Sequence, residues 1–396
     1  MSIPSPYLQG FLAAACPADR ATGGTLLPPV SPAQEAASKA DVSLDRASIE
    51  GEIARRPDPL ESFPRLLECV SANRPPDAED RRCFQWFGLF YEAPVQDAFR
   101  LRLRLPGGRL RPFQLVGLAE ATQKFAGGQI VLNARGGLDV PGVPITAACQ
   151  ILAETRNIGL SSHRSGGNCI QAVRGGEYDR PDPGGDWLSV YPLVCALEQA
   201  ATLVPSYADL PRPCEVVFHS GAATAFDPTI DTLALRGVGE GVDFSGKDSP
   251  PAAEAGFVLT VPGVDSDGFS LAPAQVVPGC LALLEGWRSH AARSGRVEVA
   301  FAEFLGGLDP GEIGALSGET RRVPLWHEAK ADACKAPPGL TIPGARLLSG
   351  QLMALERCCR EHGWREVRLA HGRLHAVADD GAWVETTAVM ARALSE

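Results

Sequence analysis

Apolar and polar residues fall into regular patterns only from Phe84 onward. From there to Leu105 the chain reads as β structure, closed by the turn Pro106-Gly107-Gly108. Within this stretch Arg100, Arg102 and Arg104 alternate with Leu101, Leu103 and Leu105. In a strand that puts three guanidinium groups on one face and three leucines on the other. The period then changes. Leu115, Leu118, Thr122 and Phe125 stand at helical spacing, and Gly127-Gly128 supplies the stop. A strand over 129–133, a loop over 134–137 and a helix over 144–157 follow. Ile145, Ala148 and Leu152 share one face of that helix, and Gly159 is its C-terminal signal. Upstream, residues 17–80 show little periodicity outside 63–67 and read as an irregular arm with one short helix.

The chain also repeats itself. When Pro106 is laid on Pro343, Pro106-Gly107-x-Arg109-Leu110-x-x-x-Gln114-Leu115-x-x-Leu118 superposes on Pro343-Gly344-x-Arg346-Leu347-x-x-x-Gln351-Leu352-x-x-Leu355. Eight identities run through 106–132 against 343–369, and both copies read turn, helix, strand. A unit this small exposes one sheet face, so two copies pairing face to face bury what neither buries alone. Residues 160–330 then form a separate α/β domain between them. In the second copy Leu352, Leu355 and Cys359 share a helical face, which marks Cys359 as a core residue.

Charge narrows the partners. With 37 basic and 47 acidic residues among 396, the net charge is −10, which repels phosphate backbones and argues against a nucleic-acid partner. No apolar run reaches the ~20 residues of a membrane span, so no membrane partner is expected. The short apolar patch 11–16 has no basic region before it and does not read as a signal peptide. The cysteines number 11, an odd and scattered set without CxxC, CxxxC or Cx5C spacing, so neither a disulfide framework nor a metal cluster is indicated. The expectation is a cytoplasmic protein.

Two nucleotide and metal signals fall short. Residues 241–248 miss the phosphate-binding loop because Asp248 stands where a Ser or Thr should hold magnesium, and Pro250-Pro251 soon follow instead of a helix. His371 and His375 are four apart in a strand-like segment, without the helical geometry of zinc proteases. The arginine row leaves two readings open: a solvated sheet face, or a polyanion cradle completed by Arg135 from the adjacent loop.

The stretch Phe87-Gly88-Leu89-Phe90-Tyr91-Glu92-Ala93-Pro94-Val95-Gln96-Asp97, followed by Phe99 through Gly108, resembles the opening of the sirohaem-dependent nitrite and sulfite reductases. The assimilatory ferredoxin-type nitrite reductase branch is the nearest in pattern. Gly166-Gly167-Asn168, Ala208-Asp209-Leu210-Pro211-Arg212 and Pro338-Gly339-Leu340 extend the resemblance over most of the chain from Phe84. It implies an α+β fold: two ferredoxin-like halves paired about a pseudo-twofold, with one α/β sirohaem-domain-like lobe inserted between them. The boundaries expected are an arm over 1–80, a first half over 81–157, the lobe over 158–330 and a second half over 331–396.

The family reduces nitrite or sulfite by six electrons at a sirohaem bridged to a [4Fe–4S] cluster, and arginines and lysines hold the anion and the haem carboxylates. The resemblance therefore implies tetrapyrrole or substrate contacts for Arg102, Arg104, Arg135 and Asn168. Three departures stand against it. The family's arginine near Asn168 is Ile170, and its two lysines after Leu-Pro-Arg are replaced in Pro213-Cys214-Glu215. The chain also ends at Glu396, after the second half, and none of its cysteines has cluster spacing. The expectation is a family member with no catalytic residues of its own and no [4Fe–4S] cluster, with sirohaem left open. It is either non-catalytic or completed by a full-length reductase or a cluster-bearing polypeptide. The alternatives are a subunit of a split active reductase and a tetrapyrrole-binding accessory module without redox chemistry.

Overall fold

The computed structural model describes residues 59–93, 97–133, 135–175, 190–219, 230–238, 256–261, 268–271, 273–296, 298–308, 312, 321–323, 339–370, 373–378, 383–384 and 387–395. The 241–248 loop, His371 and residues 1–58 lie outside them. From Pro59 the arm is helical rather than irregular. A 3-10 turn leads into α1 (Phe63–Ala72), and α2 (Ala78–Phe84) follows. Asp77 and Asp80 close a reciprocal capping box at the start of α2, and Leu66 and Cys69 of α1 are fully buried.

The β stretch expected from Phe84 is broken by a 3-10 turn. It resolves into β1 (Leu89–Tyr91) and β2 (Phe99–Leu103). Then come β3 (Arg109–Leu110), α3 (Pro112–Phe125), β4 (Gln129–Leu132), β5 (Leu138–Val143) and α4 (Ala148–Asn157). Strand β5 escaped the pattern because Pro141-Gly142 reads as loop.

The lobe carries β6 (Ile170–Arg174), α5 (Tyr191–Leu203), β7 (Cys214–His219), β8 (Asp231–Val238), β9 (Gly256–Thr260), β10 (Gly268–Leu271), α6 (Pro273–Ser294), α7 (Phe301–Gly306) and β11 (Arg321–Val323). Its six-stranded sheet runs β11-β10-β9-β8-β7-β6, parallel from β6 to β8 and antiparallel beyond. Val173, Leu197, Val216, Leu233, Leu283 and Trp287 belong to a core of its own.

The second copy supplies β12 (Leu340–Thr341), β13 (Arg346–Leu348), α8 (Ser349–His362), β14 (Trp364–Ala370), β15 (Arg373–Ala378), β16 (Trp383–Val384) and α9 (Thr387–Ser395). The repeat is structural as well as sequential. Helices α3 and α8 occupy equivalent positions and pack on one another. Each opens with a glutamine side chain accepting from a backbone N–H three residues earlier: Gln114 from Arg111 at 3.0 Å, Gln351 from Leu348 at 2.9 Å. The preceding turns match too, with Gly107 at φ 61° and Gly344 at φ 62°, a left-handed conformation that favours glycine.

The pairing is not a simple face-to-face stack. The two sheets read β1-β2-β5-β4-β13 and β12-β15-β14-β3, with β16 also paired to β15, so each half donates its two- or three-residue strand to the other's sheet. Leu347 faces Ile130 in one, and Leu110 faces Val367 in the other, at repeat-equivalent positions. Both halves share one core, in which Leu115, Leu118, Ile130, Leu352, Leu355, Cys359 and Val367 are buried. No helix among the described residues is long and apolar enough to cross a membrane.

Candidate functional site

Strand β2 alternates as its sequence requires: Phe99, Leu101 and Leu103 are buried, and Arg100 and Arg102 face the other way. What meets the arginines is the protein's own acid. Strand β5 lies beside β2 with Asp139 opposite Arg102. One carboxylate oxygen of Asp139 accepts from Arg100 Nη1 at 2.7 Å, the other from Arg102 Nε at 3.3 Å. Arg100 Nε also reaches Glu92 at 2.7 Å. Burial opposes the charge on Arg100, but Glu92 and Asp139 more than offset it and raise its pKa. Burial lowers that of Arg102; Asp139 pulls it back up, and the charges of Arg135 and Arg100 lower it further. Phe90 lies under both cations, at 5.0 Å from Arg100 and 4.4 Å from Arg102.

Arg104 leaves this row. Its side chain is 1% exposed and forms a two-pronged ion pair with Glu198 of α5, the Nη2 arm at 2.7 Å. Its remaining arm donates at 2.7 Å to the carbonyls of Arg164 and Ile170. The guanidinium thus ties β2 to the lobe, and the residue also lines the cavity described below. Burial opposes its charge, and Glu198 more than compensates. Neighbouring bonds reinforce the junction. Arg164 donates to the carbonyls of Ala201 and Val204 at the end of α5, and Trp86 Nε1 donates to Ala208 at 3.0 Å. Gly88, at φ 77°, lets Ser165 reach the carbonyl of Arg102 at 3.0 Å; a Cβ there would sit 2.7 Å from both.

Asn168 is also structural: its amide donates to Pro211 at 3.4 Å, and its carbonyl accepts from Leu210 at 2.8 Å. Glu215 is fully buried on β7, where Arg174 holds both its oxygens at 2.8 and 3.1 Å and Thr232 donates at 3.2 Å. Its charge is therefore met inside the protein by Arg174.

Arg102 and Arg135 do converge. With Arg104, Asn133, Gln171 and Glu198 they line a cavity of about 20 Å³, room for roughly one or two water-sized groups. Arg135 reaches across it to Gln171 of β6. Arg102 engages Asp139 by Nε, and among the described residues its two terminal nitrogens make no hydrogen bond. The cavity suits the edge of a small oxyanion. Among the described residues no group of three or more His, Cys, Asp or Glu could hold a metal ion.

Asp139, Asn133, Gln171 and Glu198 were not singled out from the sequence. Asp139 was within reach: once β5 is recognised, it lies across from the arginine row.

Residues 93–158 match the nitrite/sulfite reductase ferredoxin-like half domain, the first of the two halves that flank the inserted lobe. Among similar proteins are the ferredoxin–nitrite reductase of Synechococcus elongatus, 23% identical over 319 residues, and the chloroplastic ferredoxin–nitrite reductase of Zea mays, 26% identical over 323. Those alignments cover 74% and 72% of this chain but 61% and 54% of the relatives' length, so the chain spans little more than half of each. The fold is similar to that of the Mycobacterium tuberculosis NirA protein, with a TM-score of 0.65 at 16% identity over 87% of this chain and 68% of that one.

Proposed function

We propose that this chain is the anion-recognising scaffold of a nitrite/sulfite reductase-type protein and does not carry out six-electron reduction alone. A small oxyanion of the nitrite or sulfite class is held between Arg102 and Arg135. The redox centre, with its four grouped cysteine thiolates, is contributed from outside these 396 residues. The single observation that carries this reading is the division of the arginine row: Arg102 lines the cavity with only its Nε bonded to Asp139, while Arg104 is neutralised by Glu198. The cysteine spacing supports the second part, since none of the eleven thiols stands where a cluster could collect four.

The test is to reconstitute the purified chain anaerobically with sirohaem, iron and sulfide and supply electrons from reduced methyl viologen. Nitrite is expected to bind in a salt-sensitive way, with no ammonium formed and no stoichiometric labile sulfide retained. Sustained ammonium production by the chain alone overturns the proposal.

A further inference from the structure

Asp139 stands at the centre of the cavity's wiring. It sits on β5 between two strands, opposite Arg102 of β2 and Val131 of β4. Its carboxylate is nearly buried, and it takes three donors: Arg100 Nη1 at 2.7 Å, Arg102 Nε at 3.3 Å and Asn133 Nδ2 at 2.9 Å. Asn133 passes the constraint on. Its side-chain oxygen accepts the backbone N–H of Arg135 and of Gly137, both at 3.0 Å, and its carbonyl accepts from Gly136 at 3.2 Å. Gly136 takes φ 70°, so the turn over 135–137 closes tightly on the Asn133 side chain.

We infer that Asp139 is the positioning residue of the anion cavity, holding the Arg102 guanidinium directly and the Arg135 turn through Asn133. This rests on the anion-recognition reading above. Because Asp139 grips Arg102 at Nε, the two terminal nitrogens of this cavity-lining arginine are left without a hydrogen bond among the described residues. Because it grips Asn133 as well, both arginines are set against one carboxylate. A bound oxyanion then meets two fixed cations and has neither to order.

The inference can be separated from plain electrostatics by sign. If Asp139 only subtracted charge, its removal would leave the cavity more positive and anions would bind more tightly. As a positioning residue, its removal weakens binding instead.

Nitrite and sulfite are titrated calorimetrically into wild type, Asp139→Ala, Arg102→Lys and the double variant, with near-ultraviolet circular dichroism as the check on folding. The expected result is about tenfold weaker binding or worse for Asp139→Ala, and no further loss from it in the Arg102→Lys background. Should Asp139→Ala not fold, Asn133→Ala keeps the carboxylate and frees only the turn, and it too is expected to weaken binding. If wild type binds and these variants bind equally or more tightly, the positioning role is overturned and the anion reading stands. If wild type binds neither anion, the anion reading fails and this inference with it.

Discussion

Arg100, Arg102 and Arg104 follow one another at alternate positions along β2 and just past its end, yet each meets a different environment. Arg100 is shared between Glu92 and Asp139, Arg102 lines the cavity with its Nε on Asp139, and Arg104 is paired with Glu198. The alternation in the sequence made the row legible, but Glu198 lies 94 residues further along, and no local pattern announces such a partner. Breaking that pair leaves a buried charge without compensation. Glu198→Gln and Arg104→Met are therefore each expected to destabilise the fold by about 3–5 kcal/mol, measured by urea unfolding. A loss below about 1 kcal/mol from both would mean that the junction is wet, not buried.

His163, beside the same junction, gives a pH signature. Burial, and then the charges of Arg164 and Arg104, hold its pKa at about 3, below the ordinary 6.5. Between those values the unfolded chain binds a proton that the folded chain refuses. Its contribution is thus complete above pH 6.5 and is lost as the pH falls through the window, on the order of 4 kcal/mol at the lower end. His163→Gln is expected to flatten the stability–pH curve over that range relative to wild type. Identical slopes would contradict the assignment.

At the scale of elements, the exchanged strands β3 and β13 are what make the two copies one body. The repeat itself could be read from the sequence, because Pro-Gly, Arg-Leu and Gln-Leu recur in step. The exchange could not. A strand of two or three residues is too short to show a period, and its partner is chosen by tertiary packing. Helix α8 and its buried Cys359 followed the periodicity closely, whereas β5 was hidden behind Pro141-Gly142. Leu110 and Leu347 occupy equivalent places in the two exchanged pairings and are each 2% exposed. Leu110→Ala and Leu347→Ala should then cost similar amounts, each about 2–5 kcal/mol by chemical denaturation. A large cost at one position and none at the other would show that the exchange is unequal.

At the scale of the whole molecule, the shared core means that neither half is complete without the other. Deleting everything after Pro337 removes α8 from α3 and β13 from β4, and the remaining chain is expected to aggregate or melt without cooperativity. A soluble, sharply melting fragment would argue against the single core. The resemblance could be read from the sequence around the first half, but the local pattern could not show how its arginines divide, because Asp139 of β5 and Glu198 of α5 lie far along the chain.

That division is the central claim, and anion titration tests it most directly. Nitrite and sulfite are titrated into wild type, Arg102→Ala and Arg135→Ala at low and moderate salt. Each charge-assisted contact contributes about 1.5–3 kcal/mol, so both variants should bind at least about tenfold more weakly, and wild-type affinity should fall as salt rises. Equal affinity in all three proteins, or no binding by wild type, would contradict the account.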